Sequence, residues 1–304
     1  MDSFMKDYLD AFPSKVILPT LKLWHLIISF FWLDFNAISR RKRWAKIYSS
    51  VSSKTRMQTQ EIRHTNSFGD EVDLTIFVPS EVCKMRADTF STKEPEILDW
   101  IDKFGDNSGC FWDVGANIGL YSIYYAKNHG GKVVAFEPSV FNLSELVKNI
   151  KINSVSSLVT IIPNPLSSKT GIENFLLSGT DEGSAANAFG VDYGQDGGKL
   201  AAVSSYPVLG FSGSDFFSMG LVKQPPSVIK IDVDGIEHLI LQGMEDVLSH
   251  PSCKSIFIEV NSEFYEQADL VSKYLIGSGF ELASKEKSML MKNSPSHNEI
   301  WHKL

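Results

Sequence analysis

At 304 residues the chain is long enough to bury a substantial core, as one large domain or two small ones. Its net charge of −7 argues against a nucleic acid as the main partner, because neutralising phosphates takes clustered basic side chains. The three cysteines, Cys83, Cys110 and Cys253, are scattered with no C-x-x-C pair. That excludes a disulfide framework or a zinc site and points to a reducing compartment with inert, buried thiols.

Residues 1–50 stand apart. Val16 to Leu33 is almost wholly apolar, with Pro19 placed to open a helix and Lys22 and His25 as the main interruptions. Leu21, Trp24, Ile28, Phe31, Trp32 and Phe35 share one helical stripe, while Leu23, Ile27 and Phe30 fill the other side. A helix apolar nearly all round is buried in protein or in lipid. Eighteen residues is the bottom of the spanning range, and Lys22 argues against a span. Asp2, Asp7 and Asp10 make the leader acidic and no small-residue cleavage site follows, which argues against a secretory signal. The run Arg40-Arg41-Lys42-Arg43 suits an anionic membrane surface, or is simply a solvated face. Three placements stay open: packing on the domain or on a second copy, peripheral membrane contact through 16–43, and a true span. The expected location is cytoplasmic, with membrane association only through this helix.

Residues 51–70 are polar and read as a linker or helix end, so the domain boundary is placed at 50/51. Glu71 to Pro79 alternates as a strand does, with Val72, Leu74, Ile76 and Val78 on one face. Glu94 to Phe104 predicts a helix with Pro95 in its first turn and Ile97, Leu98, Ile101 and Phe104 facing inward. Phe111 to Val114 is a short apolar run broken only by Asp113, as suits a parallel strand covered on both faces. A glycine turn, a helix and a second strand, Val133 to Phe136, follow. Ser139 is an N-cap candidate for a helix with Leu143, Leu146, Val147 and Ile150 inward, and Leu158 to Ile162 is a third strand. Residues 163–213 are rich in Gly, Ser and Ala and read as a mobile rim over the site. Val228 to Ile231 is a strand, followed by a helix with Ile236, Leu239, Ile240, Gly243 and Val247 inward. Ser255 to Asn261 is another strand, Glu263 to Ile276 a helix, and Gly279–Ala283 with Ser288–Lys292 a terminal hairpin that adds an antiparallel strand.

The chemistry gathers where these strands end. The first turn reads Asp113-Val114-Gly115-Ala116-Asn117-Ile118-Gly119, and Glu137 lies 22 positions after Gly115, where a second strand's end reaches a ribose diol. A dinucleotide site wants G-x-G-x-x-G so that a pyrophosphate can sit on bare backbone. Here the middle glycine is missing, and Asp113 adds a negative charge that disfavours phosphate and suits a cation. S-adenosylmethionine (SAM), with its sulfonium, ammonium and ribose diol, fits best; a nicotinamide or flavin dinucleotide and an empty structural turn are the alternatives. A second acidic strand end, Asp232-Val233-Asp234-Gly235-Ile236-Glu237, crowds three carboxylates into six residues. Such clustering is tolerated where a cation or a proton acceptor is needed. Glu259 ends a further strand. Asp113, Glu137, Asp232 and Glu259 thus fall at the carboxyl edge of an open α/β sheet, where ligands bind. Glu237 at a helix start has a simpler reading as a dipole partner. His64, His129, His238 and His250 read as surface or core histidines, His238 being the one beside the acidic cluster.

Taken with Phe136-Glu137-Pro138, with Lys148-Asn149-Ile150-Lys151-Ile152-Asn153 and with Ile229-Lys230-Ile231-Asp232-Val233-Asp234-Gly235-Ile236-Glu237, the first motif resembles the FkbM family of SAM-dependent methyltransferases over about Phe111–Asn261. Asp234 stands where the family often has Glu. The resemblance implies a Rossmann-like seven-stranded, mostly parallel sheet, here with an N-terminal helical extension, and O-methylation of a small-molecule or glycan hydroxyl. It implies that Gly115, Ala116 and Gly119 line the methionyl part of SAM, that Asp113 holds its ammonium directly or through water and Glu137 its ribose, and that Asn117 can add a contact to its carboxylate. Asp232 then sits nearest the methyl and the acceptor, with Asp234, Glu237 and Glu259 around it. A divalent metal is conceivable on Asp232, Asp234 and Glu259 but is not expected. The competing readings are a non-catalytic scaffold acting through the N-terminal helix and a dinucleotide-dependent oxidoreductase, the latter opposed by the absence of a Tyr-x-x-x-Lys dyad.

Overall fold

Alternation along the central strands divides the apolar residues between two cores. Phe111, Val133, Ala135, Val228 and Phe257 enter one; Trp112, Val114, Val134, Phe136, Ile229, Ile231, Ile256 and Ile258 enter the other. Strands that bury both faces need cover on both sides, which is why the central strands are apolar on both faces apart from Asp113 and Lys230. The computed structural model describes residues 44–47, 49–50, 57–287 and 295–303. The chain divides into Met1–Gln58, where residues 44–47 and 49–50 are helical, and Thr59–Leu304. The apolar segment 16–33 and the basic run 40–43 lie outside the described residues. Among those described, no helix is long and apolar enough to cross a membrane.

In chain order the second unit runs β1 (Thr59–Thr65), β2 (Glu71–Phe77), α1 (Glu81–Asp88), α2 (Pro95–Phe104), β3 (Cys110–Val114), α3 (Leu120–His129), β4 (Lys132–Phe136), α4 (Val140–Ile152) and β5 (Val159–Ile162). It continues with β6 (Leu166–Ser167), β7 (Gly171–Leu177), β8 (Ala188–Phe189), β9 (Ser204–Ser212), α5 (Gly213–Ser218), β10 (Val228–Ile231), α6 (Glu237–Gln242) and α7 (Glu245–Ser249). It closes with β11 (Ser255–Asn261), α8 (Tyr265–Gly277), β12 (Phe280–Glu286) and β13 (Ser296–Lys303). The main sheet has the order β12-β13-β11-β10-β3-β4-β5, with β13 alone antiparallel to its neighbours. This is the expected seven-stranded, mostly parallel, Rossmann-like arrangement. Helices α2, α3 and α4 contribute Trp100, Ile123 and Leu146 to one core; α5 to α8 contribute Phe216, Leu241, Leu248 and Val271 to the other.

Several elements depart from expectation. Residues 59–65, read as part of a linker, form β1 against β2; of that strand only Ile62 is buried, so no apolar alternation marked it. Helix α1 was not anticipated. Helix α4 turns Asn142, Glu145 and Asn149 inward beside Leu146 and Ile150, whereas Val147 is exposed. Its asparagines are anchors: Asn149 accepts from the Phe77 amide (2.8 Å) and Asn153 from that of Thr75 (3.0 Å), stitching β2 to the helix. The stretch 163–213 is not one loop, since it contains a four-stranded sheet of order β6-β9-β7-β8. The helix after Gly235 breaks at Gly243 and Met244 into α6 and α7. The terminal hairpin is present, but its second strand is 296–303, not 288–292, which lies outside the described residues.

Candidate active site

The chain winds outward from β3 through β4 to β5 and then returns to β10 on the other side of β3. Between β3 and β10 the strand order reverses, and a crevice opens beyond their carboxyl ends. A cavity of about 310 Å³ occupies it, walled by the turn 114–118, by Glu137 and Pro138, by Asp232–Asp234 and Glu259, and by Arg86, Lys93 and Glu94 from α1 and the segment after it.

The turn after β3 is shaped by close backbone approach. Gly115 has φ of +81°, and a Cβ there would overlap the carbonyl oxygen of Asp232. The amides of Gly115 and Ala116 both donate to the Phe136 carbonyl at 3.0 Å. Gly119, at φ +89°, caps α3 and leaves room for Leu146; it packs α3 on α4 and does not line the cavity. Asn117 also takes a positive φ, +51°. Its Nδ2 donates to Ser184 O (3.0 Å), so its side chain is committed to the 178–187 segment.

Glu137 ends β4 with only 4% of its surface exposed. Its carboxylate accepts from the amides of Asn117 (2.7 Å) and Ser139 (2.8 Å) and weakly from Asn142 Nδ2 (3.4 Å). Burial nevertheless pushes it up to about 7, against the pull of those amides. With three donors spread over two oxygens, lone pairs remain for a ligand hydroxyl.

Asp113, assigned to the ammonium directly or through water, does not itself line the cavity. It is fully buried and behind the cavity wall, with Oδ2 accepting from Ser122 Oγ (2.6 Å) and Oδ1 3.3 Å from Lys230 Nζ. Lys230 sits beside it in the β3–β10 register and is equally buried. Its Nζ also donates to Gly115 O (3.1 Å) and lies 3.4 Å from Asp232 Oδ2. Burial opposes the charge on Lys230, but Asp113 and Asp232 more than restore it, so the ammonium is held above its ordinary range. One lysine thereby ties the glycine turn, the end of β3 and the end of β10 together. No role was assigned to it from the sequence.

Four acidic groups follow at the β10 and β11 ends. Asp232 faces the cavity with 38% of its side chain exposed. Burial alone would raise its carboxyl, but Lys230, with Lys93 and Arg86 behind it, holds it below its ordinary range. Asp234, at φ +65°, accepts from the Ala186 amide (2.6 Å) and is raised by burial and the neighbouring Asp232 to about 6. Glu237 does not line the cavity: it accepts from the amides of Val233 (3.2 Å) and Gly235 (3.0 Å) and from Gln267, fixing the acidic turn from behind. Burial lifts it to about 7. Glu259 accepts from Gln195 Nε2 and is raised well above its ordinary range by burial and by Asp232, Asp234 and Glu237. His238 is buried against Phe264 and lies outside the cavity lining. Among the described residues no three His, Cys, Asp or Glu side chains gather as a metal-ligand set. All three cysteines are buried free thiols, pushed up by burial to about 11 (Cys83) and about 12 (Cys110, Cys253).

Glu137, Asp234, Glu237 and Glu259 all bind protons more readily folded than unfolded. Stability from such groups is complete below the ordinary carboxylate range and is lost as pH rises through their folded values, about 6 for Asp234 and about 7 for Glu137 and Glu237, with Glu259 also raised. His64 and His238, lowered by burial, act oppositely below their ordinary pKa, but they are two against four. The ligand-free chain is therefore expected to melt at a higher temperature at pH 5.5 than at pH 8. A calorimetric midpoint that rises over that interval would contradict these protonation assignments.

A family model described as the methyltransferase FkbM domain matches residues 113–302. Hexuronic acid methyltransferase AglP of Haloferax volcanii is 28% identical over 171 residues, which is 56% of this chain and 63% of that protein; the chain thus spans less than two thirds of that relative. Among solved structures, methyltransferase FkbM from Methylobacillus flagellatus is similar with a TM-score of 0.45 at 14% identity, covering 65% of this chain and 44% of that one. An rRNA methylase from Streptococcus thermophilus gives 0.41 at 15% identity, covering 68% and 93%.

Proposed function

The chain belongs to the FkbM methyltransferase domain family, and on that premise we propose that it transfers a methyl group from SAM to a hydroxyl of a small molecule or glycan. The observation that carries this is a single cavity walled by Glu137 at one strand end and Asp232 at another. The first can accept from a ribose diol, and the second stays ionised where a hydroxyl proton must leave. The hexuronic acid in the relative's name makes a sugar hydroxyl the acceptor class to test first.

The donor set fits SAM. Glu137 keeps lone pairs for the ribose, Ile118, Phe136, Pro138, Phe175 and Phe189 offer apolar surface to a purine, and Asp232 and Asp234 supply negative potential for a cationic centre. Bound SAM supplies an electrophilic methyl group, so alignment and exclusion of water account for most of the rate. Asp232 accepts or orients the acceptor proton at its carboxylate. Asp113 acts through Lys230 and not on the cofactor. Glu259, raised by burial and then by its acidic neighbours, is assigned as a hydrogen-bond donor to the acceptor and not as the base.

Titration calorimetry with SAM, its product S-adenosylhomocysteine (SAH) and NAD⁺ tests the proposal. The expected result is micromolar binding of both sulfur nucleosides, none of NAD⁺, and at least about a tenfold loss in Glu137→Ala, the scale of a lost hydrogen bond to a charged group. Failure of the unaltered chain to bind either sulfur nucleoside would overturn the reading.

A further inference from the structure

We infer that Arg86 is a carboxylate-binding residue of this cavity, receiving a carboxylate of the cofactor or of the acceptor; the assignment rests on the methyltransferase reading above. The cavity wall holds three basic side chains: Lys230, Lys93 and Arg86. Lys230 is spent on Asp113, Gly115 O and Asp232. Lys93 pairs with Glu94 at 3.2 Å. Arg86 differs. Among the described residues its one hydrogen bond runs from Nε to Gly183 O (2.8 Å), and no carboxylate lies within ion-pair distance. Both terminal guanidinium nitrogens therefore remain to be satisfied, in a half-buried position on the cavity wall.

That single bond also pre-sets the group. With Nε fixed, the guanidinium plane is fixed, and the remaining pair of N–H donors forms the planar fork that matches a carboxylate. The helix carrying it is held in place at the same segment. Ser80, which caps α1, donates through Oγ to Glu182 O (2.6 Å), and Cys83 Sγ reaches the same carbonyl (3.2 Å). Arg86 lines the same cavity as Asp232 and Asp234. Two carboxylates can arrive there: that of the methionyl part of SAM, and one on the acceptor, as in a hexuronic acid.

Calorimetry on the full chain with Arg86→Gln and Arg86→Lys separates them. Four probes are used: SAH, 5′-methylthioadenosine (the same thionucleoside without the amino-acid carboxylate), and glucuronate or glucose added to SAH-loaded protein. If the cofactor's carboxylate is the ligand, Arg86→Gln weakens SAH at least tenfold, leaves methylthioadenosine unchanged and so shows that the fold persists. If the acceptor's carboxylate is the ligand, SAH binding is retained while the preference for glucuronate over glucose is lost. Arg86→Lys, with its charge but not the fork, falls between. The inference is overturned if the unaltered chain binds SAH and the Gln variant matches it in SAH affinity and in the glucuronate preference; the methyltransferase reading then survives. If the unaltered chain binds no SAH, that reading fails, and the Arg86 assignment fails too unless free protein binds glucuronate in an Arg86-dependent way.

Discussion

Replacing Lys230 by methionine is expected to cost about 3–5 kcal/mol of stability, the range seen when one partner of a buried ion pair is removed. Methionine fills much of the lysine stem's volume, so the loss comes from charge and not from a cavity. Asp113 has no exposure, and once Lys230 is gone its one remaining donor is the Ser122 hydroxyl. An uncompensated carboxylate would then sit between the two central strands, beside the Gly115 carbonyl that Lys230 also holds. Adding Asp113→Asn removes that charge, and the double variant is expected to recover part of the loss. Urea unfolding of the single and double variants measures both effects. A cost below about 1 kcal/mol for Lys230→Met would show that the pair is not what joins β3 to β10. The variant also frees Asp232 from its ion pair, so whatever activity survives should lose its acidic-side tolerance at a higher pH than in the unaltered chain.

Lys230 also shows where sequence reading stopped short. A lysine between two isoleucines on a central strand signals a buried charge, and the natural partner is the aspartate at the same level of the neighbouring strand. That inference was open but depended on strand register, which periodicity alone does not give. The parallel core was legible for a simpler reason: strands such as Val228–Ile231 and Ser255–Ile258 are buried on both faces, so composition marks them without any knowledge of neighbours. The four-stranded sheet was not. In β7 most of the first half is exposed, and its register with β9 joins residues far apart in the chain, from Gly171 with Gly210 to Leu177 with Ser204, so nothing local specifies it. Glu137, Asp232 and the glycine turn could be placed because strand ends define where ligands sit. Arg86, Lys93, Glu94 and Tyr121 reach the cavity from α1, from the segment after it and from α3. Only tertiary packing brings them there. The same packing sets Asp113 behind the cavity wall, on Ser122 and Lys230, since its motif position says which strand it ends and not which way its carboxylate is engaged.

Asp232→Asn is expected to lower the rate of methyl transfer by about 10²–10⁴-fold, the usual contribution of a positioned proton acceptor, while SAH affinity changes little. The two parts of this expectation come from different walls of the cavity. In the proposed reading cofactor binding rests on Glu137 and the turn after β3, whose amides are fixed by the Phe136 carbonyl and do not involve the Asp232 side chain. Proton acceptance needs a carboxylate that is ionised and reachable, and of the acidic groups on the wall Asp232 meets both conditions. It is the one held below its ordinary range, whereas burial raises Asp234 to about 6 and Glu259 well above the ordinary range. Asp234 is further committed to the Ala186 amide and Glu259 to Gln195. Asparagine preserves shape, and its oxygen can still face Lys230, so a folding defect is not expected. Transfer of a labelled methyl from SAM to a hexuronic acid, with SAH affinity measured alongside, separates chemistry from binding. A loss of less than tenfold would remove Asp232 from the reaction and leave alignment of the acceptor as the whole source of the rate. A parallel loss of SAH affinity would instead assign the carboxylate to holding the cofactor's ammonium, the positive charge that SAH keeps. Glu259→Gln provides the internal comparison: it keeps a hydrogen-bond donor at that position, so its effect should be much smaller than that of Asp232→Asn if Glu259 works in its protonated form.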